Sequence, residues 1–291
     1  MVRRGLLLLG LVVAGCEPLP PGGGVTTVDA TPRPFVYPTE TKEKIIAVAL
    51  EEWRRFGRGE AEWTPEEFIV LRSGTPVYDP EAQLTLLRYW NAGRTYSVPY
   101  VREQKELILA GETQPDEDGA GGVWTGRDWS APFLAYVTQV AGVDFDDFPN
   151  PGRNDVMLDR LIQQADAYGD AAVFQPLDAS TTAPKAGDVV CADRTLPFTI
   201  RLRSVDQRRL EPTYNRDIHC DLVVGIEPGV ALIVSPATAN SLMLGYLPLD
   251  EDGLIPSEVG DYNDPASYFV VIRNNIDLAG ADNPARGTVV R

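Results

Sequence analysis

Histidine is almost missing from this chain: among 291 residues only His219 carries an imidazole. That excludes zinc sites built on several histidines and leaves any imidazole-based acid–base chemistry to one residue. Positive charge is also short, with 26 basic against 42 acidic side chains and a formal charge of −16. A surface of this sign repels nucleic acid backbones and anionic headgroups, so no nucleic-acid partner is expected; its simplest reading is solubility. No glycine-rich phosphate loop follows a strand and no ligand cluster occurs, so neither a metal nor another cofactor is expected. Internal repeats are absent, and past the first residues no apolar run is long enough to span a bilayer.

The amino terminus carries the strongest local signal. Arg3 and Arg4 precede an apolar stretch from Gly5 to Gly15, too short for a membrane span, and Val13-Ala14-Gly15-Cys16 supplies the small and branched residues that a lipoprotein signal peptidase needs before a cysteine. Residues 1–15 are therefore expected to be a signal peptide and Cys16 the lipidation site, which makes that lipid the predicted membrane attachment. The Pro/Gly-rich stretch 16–37 cannot bury apolar surface and reads as a tether. Without residues 1–15 the chain keeps 24 basic and 42 acidic side chains, a charge of −18. The expected location is the cell envelope, most simply the periplasmic face of the outer membrane.

Residues 38–291 have the length and apolar content of one domain, with a helical part over 38–170 and a mainly strand part over 184–275. Ile45, Ile46, Ala49, Trp53 and Phe56 recur at helical spacing over 41–56, Glu81 to Trp90 reads as a second helix, and Val156 to Tyr168 as a further one. Pro132 fits only a first turn, which places the start of another helix near Ser130. The stretches 187–191, 220–226, 230–234 and 268–272 read as strands. Helices first and strands later predict an α+β fold with a mainly antiparallel sheet. Cys191 and Cys220 form an even pair in an oxidising compartment, for which a disulfide is the natural inference; a buried thiol pair and a catalytic cysteine are the alternatives. As strand residues, neither has a helix end to lower its thiol pKa.

Taken singly, Ser130 reads as a helix cap and His219 as a structural residue. Their order along the chain says more: a helix-opening Ser130, a Pro-Lys-Ala-Gly-Asp strand at 184–188, and His219 opening the next apolar strand. This order resembles the papain-like amidases and endopeptidases of the NlpC and CHAP families, in which a cysteine opens the helix. Trp129 to Gly142, Ala186 to Cys191 and Cys220 to Val224 are more similar still to the patterns W-S-A-A-F-I-S-x-V-x-x-x-A-G, P-G-D-L-V-C and C-D-I-V-V of the bacterial domain-of-unknown-function family 2272. With Glu52 to Gly57 and Arg88 to Trp90, the resemblance covers about residues 40–245. It implies a papain-like core of antiparallel sheet packed on helices, with an amino-terminal helical extension.

On that resemblance Ser130 holds the nucleophile position and His219 that of the base. Ala131 and Pro132 depart from the NlpC pattern, and a serine hydroxyl cannot ionise against imidazolium as a thiol does, so His219 would have to act as a true general base. Ser235 and Asn240 are candidates to orient its ring, and amides opening the Ser130 helix could receive an oxyanion. Two functions follow: a hydrolase of amide bonds in peptidoglycan or its peptides, with Ser130, His219 and Asn240 as its catalytic set, or an inactive envelope lipoprotein that binds peptidoglycan or serves as a structural module. A solute-binding protein would need strand–helix alternations that the chain lacks.

Overall fold

A computed structural model describes residues 37–64, 66–92, 98–111, 128–211, 215–257, 259 and 266–276. The expected signal peptide, Cys16 and all of the expected tether except Tyr37 lie outside the described residues. Tyr37 is already buried, its hydroxyl donating to Asp147 at 2.5 Å and accepting the Asp144 amide at 2.9 Å.

The amphipathic segment near the start forms helix α1 (Thr41–Arg55), and Gly57, at φ 75°, turns the chain out of it. A hairpin of β1 (Gly59–Trp63) and β2 (Phe68–Arg72) follows. Asp79 caps α2 (Pro80–Asn91) by accepting the Glu81 and Ala82 amides, and Pro80 sits in the first turn, where its missing N–H costs nothing. Then come α3 (Val98–Ala110), α4 (Ser130–Val140), α5 (Asn154–Tyr168), β3 (Phe174–Asp178), β4 (Val189–Asp193), the short α6 (Val205–Leu210), β5 (Ile218–Glu227), β6 (Val230–Thr238), β7 (Ser241–Pro248) and β8 (Ser267–Asn274).

The eight strands form one sheet in the order β2-β1-β7-β6-β5-β4-β8-β3, antiparallel throughout except for the parallel pair β1–β7. The fold is therefore mixed α+β, and the stretch read as helical also holds a hairpin that joins the sheet. Helices α1, α4 and α5 pack on one face, where Cys191, Cys220, Leu222 and Val234 meet an aromatic cluster of Phe56, Tyr89, Trp129 and Phe133. The other face carries a second core of Val190, Val223, Ile233, Met243, Tyr268 and Val271, completed by Ile255 and Val259. β1 lies close against β7 because Gly245 has no side chain: a Cβ there would run into the Trp63 ring.

Candidate functional site

Alternation along β5 decides where the histidine points. Cys220 and Leu222 belong to the helix-facing core and Val223 to the opposite one, so His219 and Asp221 share the face away from the helices. Ser235 of β6 and Tyr268 of β8 project onto the same face, next to Ile233 and Val271 in their respective strands. Ser130 opens α4 on the helical side. What reaches His219 from that side is Asp128, two residues earlier.

The ring is engaged at both nitrogens. Nδ1 lies 2.6 Å from Asp128 Oδ2, and Nε2 lies 2.9 Å from Asp221 Oδ1 and 3.3 Å from Ser235 Oγ. Tyr268 donates its hydroxyl to Asp221 Oδ2 at 3.0 Å, and Ser235 is hydrogen-bonded to Thr238 at 2.7 Å. His219, Asp221, Ser235 and Tyr268 are all buried, whereas the Asp128 side chain keeps a quarter of its surface exposed. Burial and the Arg194 charge both push the imidazole toward its neutral form, but the Asp128 and Asp221 carboxylates outweigh them and raise its pKa from 6.5 to about 9. At neutral pH the ring is an imidazolium that donates on both sides.

Asp128 answers in kind. Burial alone would raise its pKa, but the His219 charge, the His219 hydrogen bond and hydrogen bonds from the Ser130 hydroxyl and amide hold it below 3.8. Burial, with the Asp221 charge next in weight, pushes the Tyr268 phenol well above 10, so it remains a donor.

Ser130 is fully buried and committed elsewhere. Its amide donates to Asp128 Oδ1 at 2.7 Å, and its hydroxyl accepts Asn154 Nδ2 at 2.6 Å. Asn154 cannot be turned over, because the same Nδ2 also donates to the Ile218 carbonyl at 2.8 Å. The Ser130 proton is thereby left for Asp128. Asp128 thus joins the amide that opens α4 to His219 Nδ1, and Ser130 lies against Asp128 rather than against the ring.

Asn240 is not part of this network. It sits exposed in the tight turn between β6 and β7, at φ 54°, and its carbonyl accepts the Val77 amide at 2.8 Å. Of the two expected orienting partners, Ser235 is the one beside the ring. Cys191 and Cys220 face each other across β4 and β5 and are joined by a disulfide, so neither presents a thiol. Asp128, Asn154, Asp221 and Tyr268 were missed. Asp221 carried a readable signal, since a strand residue two places from His219 must share its face.

The linked pKa shifts set a pH dependence. His219 has a raised folded pKa, so its contribution is full below its unfolded value of 6.5 and is lost as pH rises through about 9. Asp128 has a lowered one, so its contribution is present above 3.8 and is lost as pH falls through the folded value. Denaturant melts should show stability falling between pH 6.5 and 9 by an amount on the order of 3 kcal/mol. The slope should flatten in His219→Gln; an equal slope in that variant would remove His219 as its cause.

Among the described residues no group of three His, Cys, Asp or Glu side chains is placed to hold a metal ion, and no helix is long and apolar enough to cross a membrane. No curated protein and no solved structure matches the chain. A family model described as "Uncharacterized protein conserved in bacteria (DUF2272)" matches residues 86–274. That span runs from within α2 to the end of β8 and contains every member of the His219 network. It is well over half the sequence, and the chain belongs to this bacterial family of uncharacterised proteins.

Proposed function

We propose that this protein is a lipid-anchored module of the cell envelope, built on a papain-like scaffold related to the NlpC and CHAP hydrolases, whose catalytic positions now hold the fold together. In this reading Cys16 carries the lipid, the Pro/Gly-rich stretch spaces the domain from the membrane, and the domain binds peptidoglycan or braces a partner beside it. The sequence pattern from Ser130 to His219 supports descent from a hydrolase. One observation supports the loss of hydrolysis: both His219 ring nitrogens lie within hydrogen-bond distance of carboxylates, Asp128 at Nδ1 and Asp221 at Nε2, and neither faces the Ser130 hydroxyl to accept its proton.

The test is chemical. The purified full chain, incubated with a fluorophosphonate probe and separately with isolated peptidoglycan, should show no adduct on Ser130 and release no peptides. Sedimentation with intact cell-wall sacculi, undiminished in Ser130→Ala, is expected for the binding form of this reading. A Ser130 adduct that disappears in His219→Gln would overturn the reading and restore the amide hydrolase, because it requires the ring to lose its proton and meet the serine.

A further inference from the structure

Residues 194–216, which join β4 to β5, hold six arginines against Asp206 and Glu211 in a chain whose formal charge is −16. Arg208 is tied to Asp159, and Arg209 to Asp166 and Asp206. Arg201 and Arg216 instead line a cavity of about 550 Å³, within the range that encloses a small organic ligand. Leu202, Ile200 and Leu210 supply its apolar wall; Leu202 is buried, whereas Ile200 and Leu210 are 36% and 83% exposed. A short path links the cavity to the start of α4: the Arg216 amide donates to Asp155 at 3.4 Å, and the preceding residue, Asn154, holds the Ser130 hydroxyl.

Arg216 fixes the charge of the ligand. Its side chain is only 4% exposed, and a guanidinium so buried needs carboxylates around it. Asp193 and Glu211 are two of these, and they differ in freedom. Asp193 is fully buried, lies 3.4 Å from Nη1 and is held in place by the Thr195 and Leu202 amides. Glu211, on Nη2, keeps half of its side chain in solvent. A carboxylate entering the cavity can take the Glu211 position and release that side chain to water, so the buried cation keeps an anion throughout. A cationic ligand would stand beside two guanidinium groups and is repelled.

We infer that this cavity binds the free carboxylate end of an aliphatic peptide, its carboxylate replacing Glu211 on Arg216 and its side chains lying on Ile200, Leu202 and Leu210. This rests on the reading of the domain as one that binds peptidoglycan, whose peptide stems present such ends. The polar groups of the wall favour a peptide over a fatty acid. Thr199 is exposed on the cavity, and Gln207 accepts the Arg203 amide through Oε1 at 2.6 Å, which leaves its Nε2 as a donor. Peptide carbonyls meet these donors, whereas an acyl chain would lay hydrocarbon on them.

Calorimetric titration of the full chain in lipid nanodiscs, against empty nanodiscs, should show saturable binding of N-acetyl-D-alanyl-D-alanine. The same peptide as its carboxamide should bind about tenfold more weakly, the worth of a hydrogen bond to a charged group. Glu211→Gln removes the competing carboxylate and should tighten binding several-fold. Arg216→Gln should abolish binding; because it also breaks a buried pair, Leu210→Ser at an exposed position is its companion and should weaken binding with the circular dichroism spectrum unchanged. Binding that ignores the carboxamide, or that Glu211→Gln weakens, overturns the proposal, and so does octanoate binding more tightly than the peptide. Cell-wall sacculi separate this site from the broader reading. Peptide binding without sedimentation keeps the site and removes the wall as its target, whereas sedimentation without any peptide binding keeps the wall and removes the site.

Discussion

His219→Ala should cost about 3–5 kcal/mol of folding stability, the range for removing one partner from a buried charge network. The loss comes less from the ring than from what it leaves behind. Asp221 is fully buried and would keep only the Tyr268 hydroxyl and any water that enters, while Asp128 would keep the Ser130 groups. Two carboxylates on either side of an empty ring site repel each other and have lost the cation that held them. The measurement is a urea or guanidinium melt near pH 6, where the imidazolium contributes in full. The control removes the charges together: Asp128→Asn with His219→Gln and Asp221→Asn should recover most of the loss, since a buried ionic group replaced as a unit by neutral partners is close to neutral in energy. If His219→Ala cost no more than an ordinary surface substitution, about 0.5 kcal/mol, the network would not be what holds β5 to the start of α4.

This network shows how far a sequence can be read. The start of α4 was legible because Pro132 is tolerated only in a first turn, and α1 because its apolar residues repeat at helical spacing. The strand that follows His219 was legible from Leu222-Val223-Val224 and Ile226, ahead of the Glu227-Pro228-Gly229 turn. The contact between Asp128 and His219 joins residues 91 apart, and no local pattern reports it. The same holds for β1, which pairs parallel with β7 across most of the chain: Gly59 meets Met243, and five residues of Gly-Glu-Ala-Glu-Trp carry too little alternation to be read alone. β3 was hidden by its Pro176, which is allowed only because the strand lies at an edge. Ser235 and Asn240 are both candidates from the strand region that follows His219, but Asn240 lies in the turn after β6, where Asn serves the backbone's left-handed conformation at φ 54°.

Breaking the Cys191–Cys220 crosslink, by Cys191→Ala with Cys220→Ala, should lower stability by about 3–4 kcal/mol in the chain-entropy model for a sequence separation of 29. The folded state should survive the change, because the sheet on either side is held independently: β4 pairs β8, and β5 pairs β6 over most of its length. The chain between the two cysteines keeps anchors of its own. The Asp193 carboxylate accepts the Thr195 and Leu202 amides and contacts Arg216, and Arg208 clamps Asp159 through two hydrogen bonds of 2.7 and 2.8 Å. The effect therefore belongs mainly to the unfolded chain, and the single Cys191→Ala variant should lose nearly as much as the double one. The expected compartment gives the same prediction in another form. A chain exported under its own amino terminus should hold the disulfide and block no thiol reagent at 191 or 220, whereas residues 16–291 produced in a reducing cytosol should show both thiols on unfolding. The reduced form should melt about 10 °C lower, at about 2–4 °C per kcal/mol for a domain of this size. Equal melting temperatures for the two forms would separate the crosslink from the stability of the fold and leave the oxidising compartment without support from this pair.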